Sequence, residues 1–148
     1  ALLYARSTGM RIGYVRVGFS PDYRECPPTS PIFGPAMKNG LFKLGTWGTE
    51  VHEAVAPIEH EFDIVKHRIS PFHGTTLGLI IRQCRVEKLL VTGVSTNAAI
   101  QSTIREAHDR DLETVLLEDC CSSHSAEDHD LALTSMSRLT TVSTAAAL

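Results

Sequence analysis

Residues 87–119, EKLLVTGVSTNAAIQSTIREAHDRDLETVLLED, decide the fold of this chain. The segment 87–93 is an apolar run typical of a buried strand, and 113–119 is a second run of the same kind. Between them, the region from Thr96 to Asp111 has helical periodicity, with one apolar face formed by Ala99, Ile100, Thr103, Ile104 and Ala107. A strand, a helix and a strand in this order predict two parallel strands joined by a crossover helix.

The same alternation extends in both directions along the chain. Upstream, strands are predicted at 11–17 and 63–67, followed by a helix that Thr75 or Thr76 caps and that runs to about Cys84. Downstream, a helix from about Ala126 to Arg138, N-capped by Ser125, precedes a short strand at 140–144. This pattern predicts an α/β fold with a mostly parallel, Rossmann-like sheet covered by helices on both faces.

Two segments depart from the alternation. Residues 18–48 are rich in Pro and Gly and are predicted to form a long loop of functional character, before a short helical segment at 50–54. The first ten residues, ALLYARSTGM, are typical of the last turns of a helix, with Gly9 as the residue after its end.

Composition excludes several classes of function. The net charge of −3 provides no basic surface for nucleic acid, and no apolar run reaches the roughly 20 residues that cross a membrane. No GxGxxG, P-loop or HExxH pattern is present, so neither a cofactor nor a metal is predicted. The cysteines lack the CxxC spacing of a zinc site, and they indicate a reducing, cytoplasmic compartment: Cys26, Cys84, Cys120 and Cys121.

Three polar stretches follow predicted strands: VKHRISPFHG at 65–74, GVSTNAA at 93–99 and EDCCSSHS at 118–125. Ligands of open parallel sheets bind outside the carboxyl ends of the strands, so these stretches are the candidate site. They carry three motifs in order, a Lys followed by S-x-F-x-G-T, then G-x-x-T-N, then E-D-x-C. In this order and spacing the chain resembles the isochorismatase-like hydrolases, a group that includes nicotinamidases and N-carbamoylsarcosine amidase.

The resemblance implies a six-stranded, three-layer αβα sandwich and a catalytic triad of Asp, Lys and Cys. The Lys corresponds to Lys66, which would lower the pKa of the Asp and hold it in place; the alternative is a strand-end lysine that merely reaches solvent. The Cys corresponds to Ala99, which has no lone pair to attack a carbonyl. Two explanations stay open, an engineered substitution or a natural Cys-less branch such as the true isochorismatases. The undisturbed neighbouring residues favour the natural variant.

The remaining parts of the expected site are also implied by the resemblance. It places Val94 and Ser95 at a cis peptide bond and the amides from Ser95 to Ala99 around an oxyanion or a carboxylate. For Ser95 and Thr96, capping of the following helix is a compatible role. The residues expected to bind substrate at this turn are Ser95, Thr96 and Asn97. On loops near the pocket mouth, an apolar or aromatic substrate is expected to contact Phe19, Trp47, Phe72 and His73, with ordinary loop packing as the alternative for each.

The triad Asp of the family lies on a central strand that would precede Ala1. A parallel sheet without its central strand has a split core and two exposed edges. Residues 1–148 are therefore expected to form a single isochorismatase-like domain that is incomplete at its N-terminus, unless another chain supplies the strand.

The sequence thus predicts a hydrolase of a small carbonyl- or carboxylate-bearing metabolite, with an upstream Asp as general acid/base, Lys66 and no thiol. As a family member it is also expected to form a homo-oligomer, a dimer or a tetramer. The alternative is a catalytically silent member that binds a small molecule or serves as an oligomeric partner. A generic nucleotide binder is disfavoured, because the chain has no Gly-rich turn.

Overall fold

The structure is a computed structural model that describes residues 1–148. The chain divides into two compact units. The smaller unit comprises residues 12–68, and the larger unit comprises residues 1–11 and 69–148. Every strand pair in both units is parallel, so the α/β class with a parallel sheet is confirmed. None of the helices combines the length and the apolar character that crossing a membrane would require.

The smaller unit is built on two strands. Strand β1, Gly13–Val17, pairs in parallel with β2, Phe62–Lys66, so that Val17 lies opposite Lys66. An ion pair joins their exposed side, because Arg16 donates from Nε and Nη2 to the two carboxylate oxygens of Asp63 at 2.8 and 2.6 Å. The carboxyl ends of β1 and β2 therefore lie side by side.

The predicted long loop contains a helix, α2, Phe33–Lys38, which sequence patterns missed. Pro35 lies in its first turn, where the absent amide costs no hydrogen bond, so this Pro does not break the helix. The hydroxyl of Ser30 accepts the Phe33 amide at 3.1 Å and satisfies the helix start. The segment predicted to be helical at 50–54 is instead a 3₁₀ turn at Glu53–Val55.

The larger unit contains α1 (Leu2–Ser7), α3 (Leu77–Gln83), β3 (Lys88–Val94), a π-helical turn at Thr96–Ile100, α4 (Gln101–His108), β4 (Glu113–Ser122), α5 (Ala126–Met136) and β5 (Thr141–Ser143). A final 3₁₀ turn spans Ala145–Ala147. The strands form a sheet in the order β3, β4, β5. The predicted sequence of elements is confirmed, although β4 is longer and α5 shorter than expected.

The core of the larger unit follows the predicted apolar face. Ile100 and Ile104 pack with Val91 of β3, Leu116 of β4 and Met136 of α5, all of them buried. Complete burial of a Leu, Ile or Met side chain contributes roughly 1.5–3 kcal/mol. This cluster fixes the turn after β3 against the sheet.

Helix ends agree with the local signals in the sequence. The hydroxyl of Ser125 accepts the Asp128 amide at 3.1 Å at the start of α5. Thr75 accepts the Leu77 amide at 3.1 Å at the start of α3, so Thr75 rather than Thr76 provides the side-chain cap. Gly9 has a φ of +72° after α1, as expected for a residue that follows a helix end.

Candidate active site

Lys66 is the last residue of β2 and is only 7% exposed. Its carbonyl accepts the Gly18 amide at 3.1 Å, which extends the pairing of β1 and β2 by one step. Burial lowers the pKa of Lys66, because a low-dielectric environment disfavours the charged ammonium. Lys66 is therefore not a strand-end lysine that reaches solvent.

Phe19 follows β1 and is completely buried. Its ring packs edge-on against Phe33 at 5.4 Å and stacks against His67 at 5.8 Å between ring centroids. The His67 Nδ1 lies 2.6 Å from the Gly18 carbonyl, which fixes the imidazole beside the end of β2. These contacts are those of a core aromatic, and a role of Phe19 in substrate binding stays a prediction.

Trp47 lies on a 3₁₀ turn, Trp47–Thr49, with 86% of its surface exposed. Two hydrogen bonds of the buried Thr49 fix this turn. Its hydroxyl donates to the Thr46 carbonyl at 2.9 Å, and its carbonyl accepts from Arg16 Nη1 at 2.8 Å. The indole is therefore exposed to solvent, while hydrogen bonds hold the backbone of its turn in place.

A hydrogen-bonded group that sequence patterns missed joins the residues after β2 to the loop after β1. The carboxylate of Glu25 accepts from the hydroxyl and the amide of Ser20, and these bonds lower the Glu25 pKa. Arg68 Nη1 donates to the carbonyls of Glu25 and His67 at 3.0 and 2.6 Å. The bond between Arg68 and Glu25 joins two residues that are 43 positions apart, so no local signal predicts it.

The S-x-F-x-G-T motif shapes the turn that leads into α3. The Ser70 hydroxyl accepts the Phe72 amide at 3.1 Å, and Thr75 donates its hydroxyl to the Pro71 carbonyl at 2.5 Å. Gly74 has a φ of +66°, a backbone conformation that favours glycine. The motif therefore has a structural explanation that is independent of any substrate.

The same turn is attached to α4. The buried Phe72 ring lies under the Arg110 guanidinium, 4.7 Å from its centroid, and Arg110 also pairs with Glu106 at 2.8 Å. A hydrogen bond from Ser70, and then Arg110, lowers the pKa of Glu106. His73 is exposed at the tip of this turn. Phe72 contacts the unit's own core, so its predicted role at the pocket mouth stays a prediction, as does that of His73.

The turn after β3 contains a cis peptide bond between Val94 and Ser95, as the resemblance predicts. The Ser95 carbonyl accepts the amides of Ala98 and Ile100 at 3.1 and 3.2 Å, the second being a π-helical bond. The Asn97 amide donates to the Ser123 hydroxyl at 3.3 Å. Of the amides predicted to surround an anion, those of Asn97 and Ala98 therefore bond within the unit.

Thr96 is completely buried, and its hydroxyl lies 2.8 Å from Nδ1 of His129 on α5. Sequence reasoning missed His129, because nothing local marks a residue 33 positions away as a partner. The predicted capping is confirmed for Ser95 by its position only, and Thr96 does not cap the helix. Ser95 occupies the N-cap position without a side-chain hydrogen bond, since the first turn is π-helical and Thr96 is directed to α5.

Ala99 is partly buried, and its carbonyl accepts the Thr103 hydroxyl at 2.6 Å. Its methyl group supplies no nucleophile. Cys120 and Cys121 lie near the end of β4, and burial raises the pKa of both thiols, which disfavours the reactive thiolate form. No group of three or more His, Cys, Asp or Glu side chains is arranged to hold a metal ion.

Comparison with known proteins agrees with these motifs. A model described as the isochorismatase domain matches residues 2–147. The chain belongs to the isochorismatase family. Among curated relatives of this isochorismatase-family chain, the uncharacterized isochorismatase family protein YecD of Escherichia coli O157:H7 is 32% identical over 125 residues, covering 84% of this chain and 64% of YecD. The ureidoacrylate amidohydrolase RutB of Methylorubrum extorquens is 30% identical over 131 residues, covering 80% of this chain and 53% of RutB. The chain thus spans between about half and just under two thirds of these relatives.

Solved structures give the same result for the fold. A cysteine hydrolase from Pseudomonas syringae superposes with a TM-score of 0.90 at 24% identity, covering 99% of this chain and 74% of that one. An isochorismatase family protein from Desulfovibrio vulgaris superposes with a TM-score of 0.87 at 26% identity, covering 95% of this chain and 75% of that one. The isochorismatase fold, a three-layer αβα sandwich, is confirmed as the fold class.

Proposed function

We propose that this isochorismatase-family chain belongs to a hydrolase of a small carbonyl- or carboxylate-bearing metabolite that works without a thiol at position 99. One observation carries the proposal: the ammonium of Lys66 is buried at the carboxyl end of β2, where the motif places the triad lysine. RutB, by its name, hydrolyses ureidoacrylate. A structural neighbour from Thermoplasma acidophilum, at 22% identity and a TM-score of 0.78, is an N-carbamoylsarcosine amidase.

In the proposed mechanism Lys66 acts on a carboxyl group. A buried ammonium beside a carboxylate lowers the carboxyl pKa and fixes its orientation, so Lys66 would tune the general acid/base Asp. That Asp is predicted on a strand upstream of Ala1 and stays a prediction. Desolvation makes the ammonium costly to bury, which favours a role that uses the charge.

Water takes the place of the missing thiol. For a vinyl ether, the Asp would protonate the double-bond carbon, and water would add to the resulting oxocarbenium ion and return a proton to the Asp. The hemiketal so formed would then break its C–O bond and release the alcohol and the carbonyl product. Amides of Ser95, Thr96 and Ala99 would orient the substrate by hydrogen bonding to its carboxylate or carbonyl oxygen. The methyl group at position 99 supplies no thiol that would compete with water as the nucleophile.

The test uses the full-length protein with vinyl-ether, ureido and amide substrates. Hydrolysis of at least one class is expected, and Lys66→Met should lower kcat/KM by about 10²–10⁴-fold, the contribution typical of general acid–base catalysis. Lys88→Met is the matched control, since Lys88 is an exposed strand lysine paired with Glu113. If Lys66→Met retained wild-type turnover, the mechanism would be wrong.

The second candidate function is a catalytically silent family member that binds a small molecule or a partner chain. Ala99 is the observation that favours it, because the position of the family nucleophile is inert. Ala99→Cys separates the two proposals. A preserved site should gain amidase or esterase activity, and a site that has lost its geometry should gain none.

Three further expectations stay predictions: a cytoplasmic location, a homo-oligomer and a single domain over residues 1–148. Light scattering of the full-length protein measures the oligomer directly, with a dimer or a tetramer expected.

A further inference from the structure

Arg68 lies two residues beyond Lys66, at the carboxyl end of β2. It is half-buried, and Nη1 donates to the carbonyls of Glu25 and His67, at 3.0 and 2.6 Å. The remaining donors, Nε and Nη2, lie together on the other edge of the planar guanidinium. Within residues 12–68, no carboxylate pairs with that edge.

The same unit contains an arginine with the matching arrangement and a carboxylate in place. Arg16 donates from Nη1 to the Thr49 carbonyl at 2.8 Å, and its Nε and Nη2 hold both oxygens of Asp63 at 2.8 and 2.6 Å. Carbonyl bonds through Nη1 fix the plane of the guanidinium and direct its other edge. In Arg16 that edge binds a carboxylate; in Arg68 the corresponding edge has no carboxylate from its own unit.

We infer that Arg68 binds a carboxylate group of the substrate through its Nε and Nη2 donors. An Arg edge matches a carboxylate in spacing and binds it with two parallel, charge-assisted hydrogen bonds. Its place at the carboxyl ends of two parallel strands is where ligands of such sheets bind. Two carbonyl bonds pre-orient the group, so little side-chain entropy is lost on binding.

This inference rests on the proposed hydrolase function and narrows it to anionic substrates. Neutral amides and esters of the same shape would lack the group that Arg68 recognises. Removing Arg68 should then change substrate affinity and leave the chemical step nearly intact, since Lys66 and the turn at residues 95–99 are separate groups.

The first test is binding, and it needs no turnover. The arginine Nε–H spectrum of the full-length protein is recorded by ¹⁵N NMR during titration with acrylate and benzoate, and with acrylamide and benzamide, at constant ionic strength. Arg68→Lys assigns the Arg68 signal. A saturable shift of the Arg68 Nε signal with either acid, absent with its amide, is expected. The Arg16 and Arg24 signals should stay unchanged, because each already pairs with an Asp. Absence of any acid-specific shift at Arg68 would overturn the inference.

The second test uses whichever carboxylate substrate the protein hydrolyses, together with its methyl ester. Arg68→Met should raise KM for the acid by about 10–100-fold, as expected for loss of two charge-assisted bonds, with kcat and the KM of the ester unchanged. Arg24→Met, an exposed arginine, is the control. An equal rise in KM for acid and ester would show a structural role and overturn the inference. If no substrate is hydrolysed, the proposed function fails, and the NMR titration alone decides the role of Arg68.

Discussion

The contact between Thr96 and His129 should contribute measurably to the stability of the turn after β3. Thr96→Val keeps the side-chain shape and removes only the hydroxyl, which is completely buried and lies 2.8 Å from His129 Nδ1. Loss of the hydrogen bond, together with a half-buried imidazole nitrogen left without it, should cost about 1–2 kcal/mol. For a chain of this size, that loss lowers the melting temperature by about 2–8 °C.

The assay is urea unfolding of the full-length protein with a matched hydroxyl deletion. Thr134→Val is the control, because the Thr134 hydroxyl donates to the Asp130 carbonyl on the exposed side of α5 and its removal should cost at most about 0.5 kcal/mol. A double-mutant cycle with His129→Phe should give a coupling energy of about 1 kcal/mol. If Thr96→Val and Thr134→Val were equally stable, or if the coupling were zero, the reasoning would be refuted.

Two further predictions concern the smaller unit. Hydrogen bonding from Arg16 lowers the pKa of Asp63 in the folded protein. The stability that this pair contributes is therefore fully present above the pKa of an Asp in the unfolded chain, about 3.9, and is lost as the pH falls through the pKa of Asp63 in the folded protein. Asp63→Asn should lower the free energy of unfolding by only about 0.5–1 kcal/mol at pH 7, because the pair is partly exposed. This difference between the variant and the wild type should vanish in acid, and a difference that persists unchanged at pH 2.5 would contradict the prediction. Gly34→Ala should destabilise by about 1–3 kcal/mol in thermal unfolding, since a Cβ there would lie 2.5 Å from the Pro28 carbonyl oxygen, whereas Gly48→Ala meets no neighbouring atom and should be nearly neutral.

Periodic apolar patterns predicted the elements that pack on the sheets. The face of Ile100, Ile104 and Ala107 is buried as its spacing indicates, and Ser125 caps α5 as its position indicates. These signals are local, so they can be recognised in the sequence without knowledge of the tertiary structure. Family and fold class followed from the three motifs, whose spacing the sequence shows directly.

Features that depend on contacts between distant segments could not be predicted. Helix α2 lies in a stretch whose Pro and Gly residues mask any helical pattern, and its start is satisfied by Ser30. His129 meets Thr96, and the Glu25 carbonyl meets Arg68, only because the fold brings these segments together. The aromatic character of Phe19 was evident, but its complete burial depends on α2.

The most direct test of the proposed thiol-free hydrolysis is the intact mass of the full-length protein, quenched in acid during steady-state turnover. Product should accumulate while the protein mass stays that of the free enzyme, because water rather than a side chain attacks the substrate. An adduct with the mass of the acyl or alkyl portion of the substrate would contradict the account, and so would the absence of product from vinyl-ether, ureido and amide substrates alike.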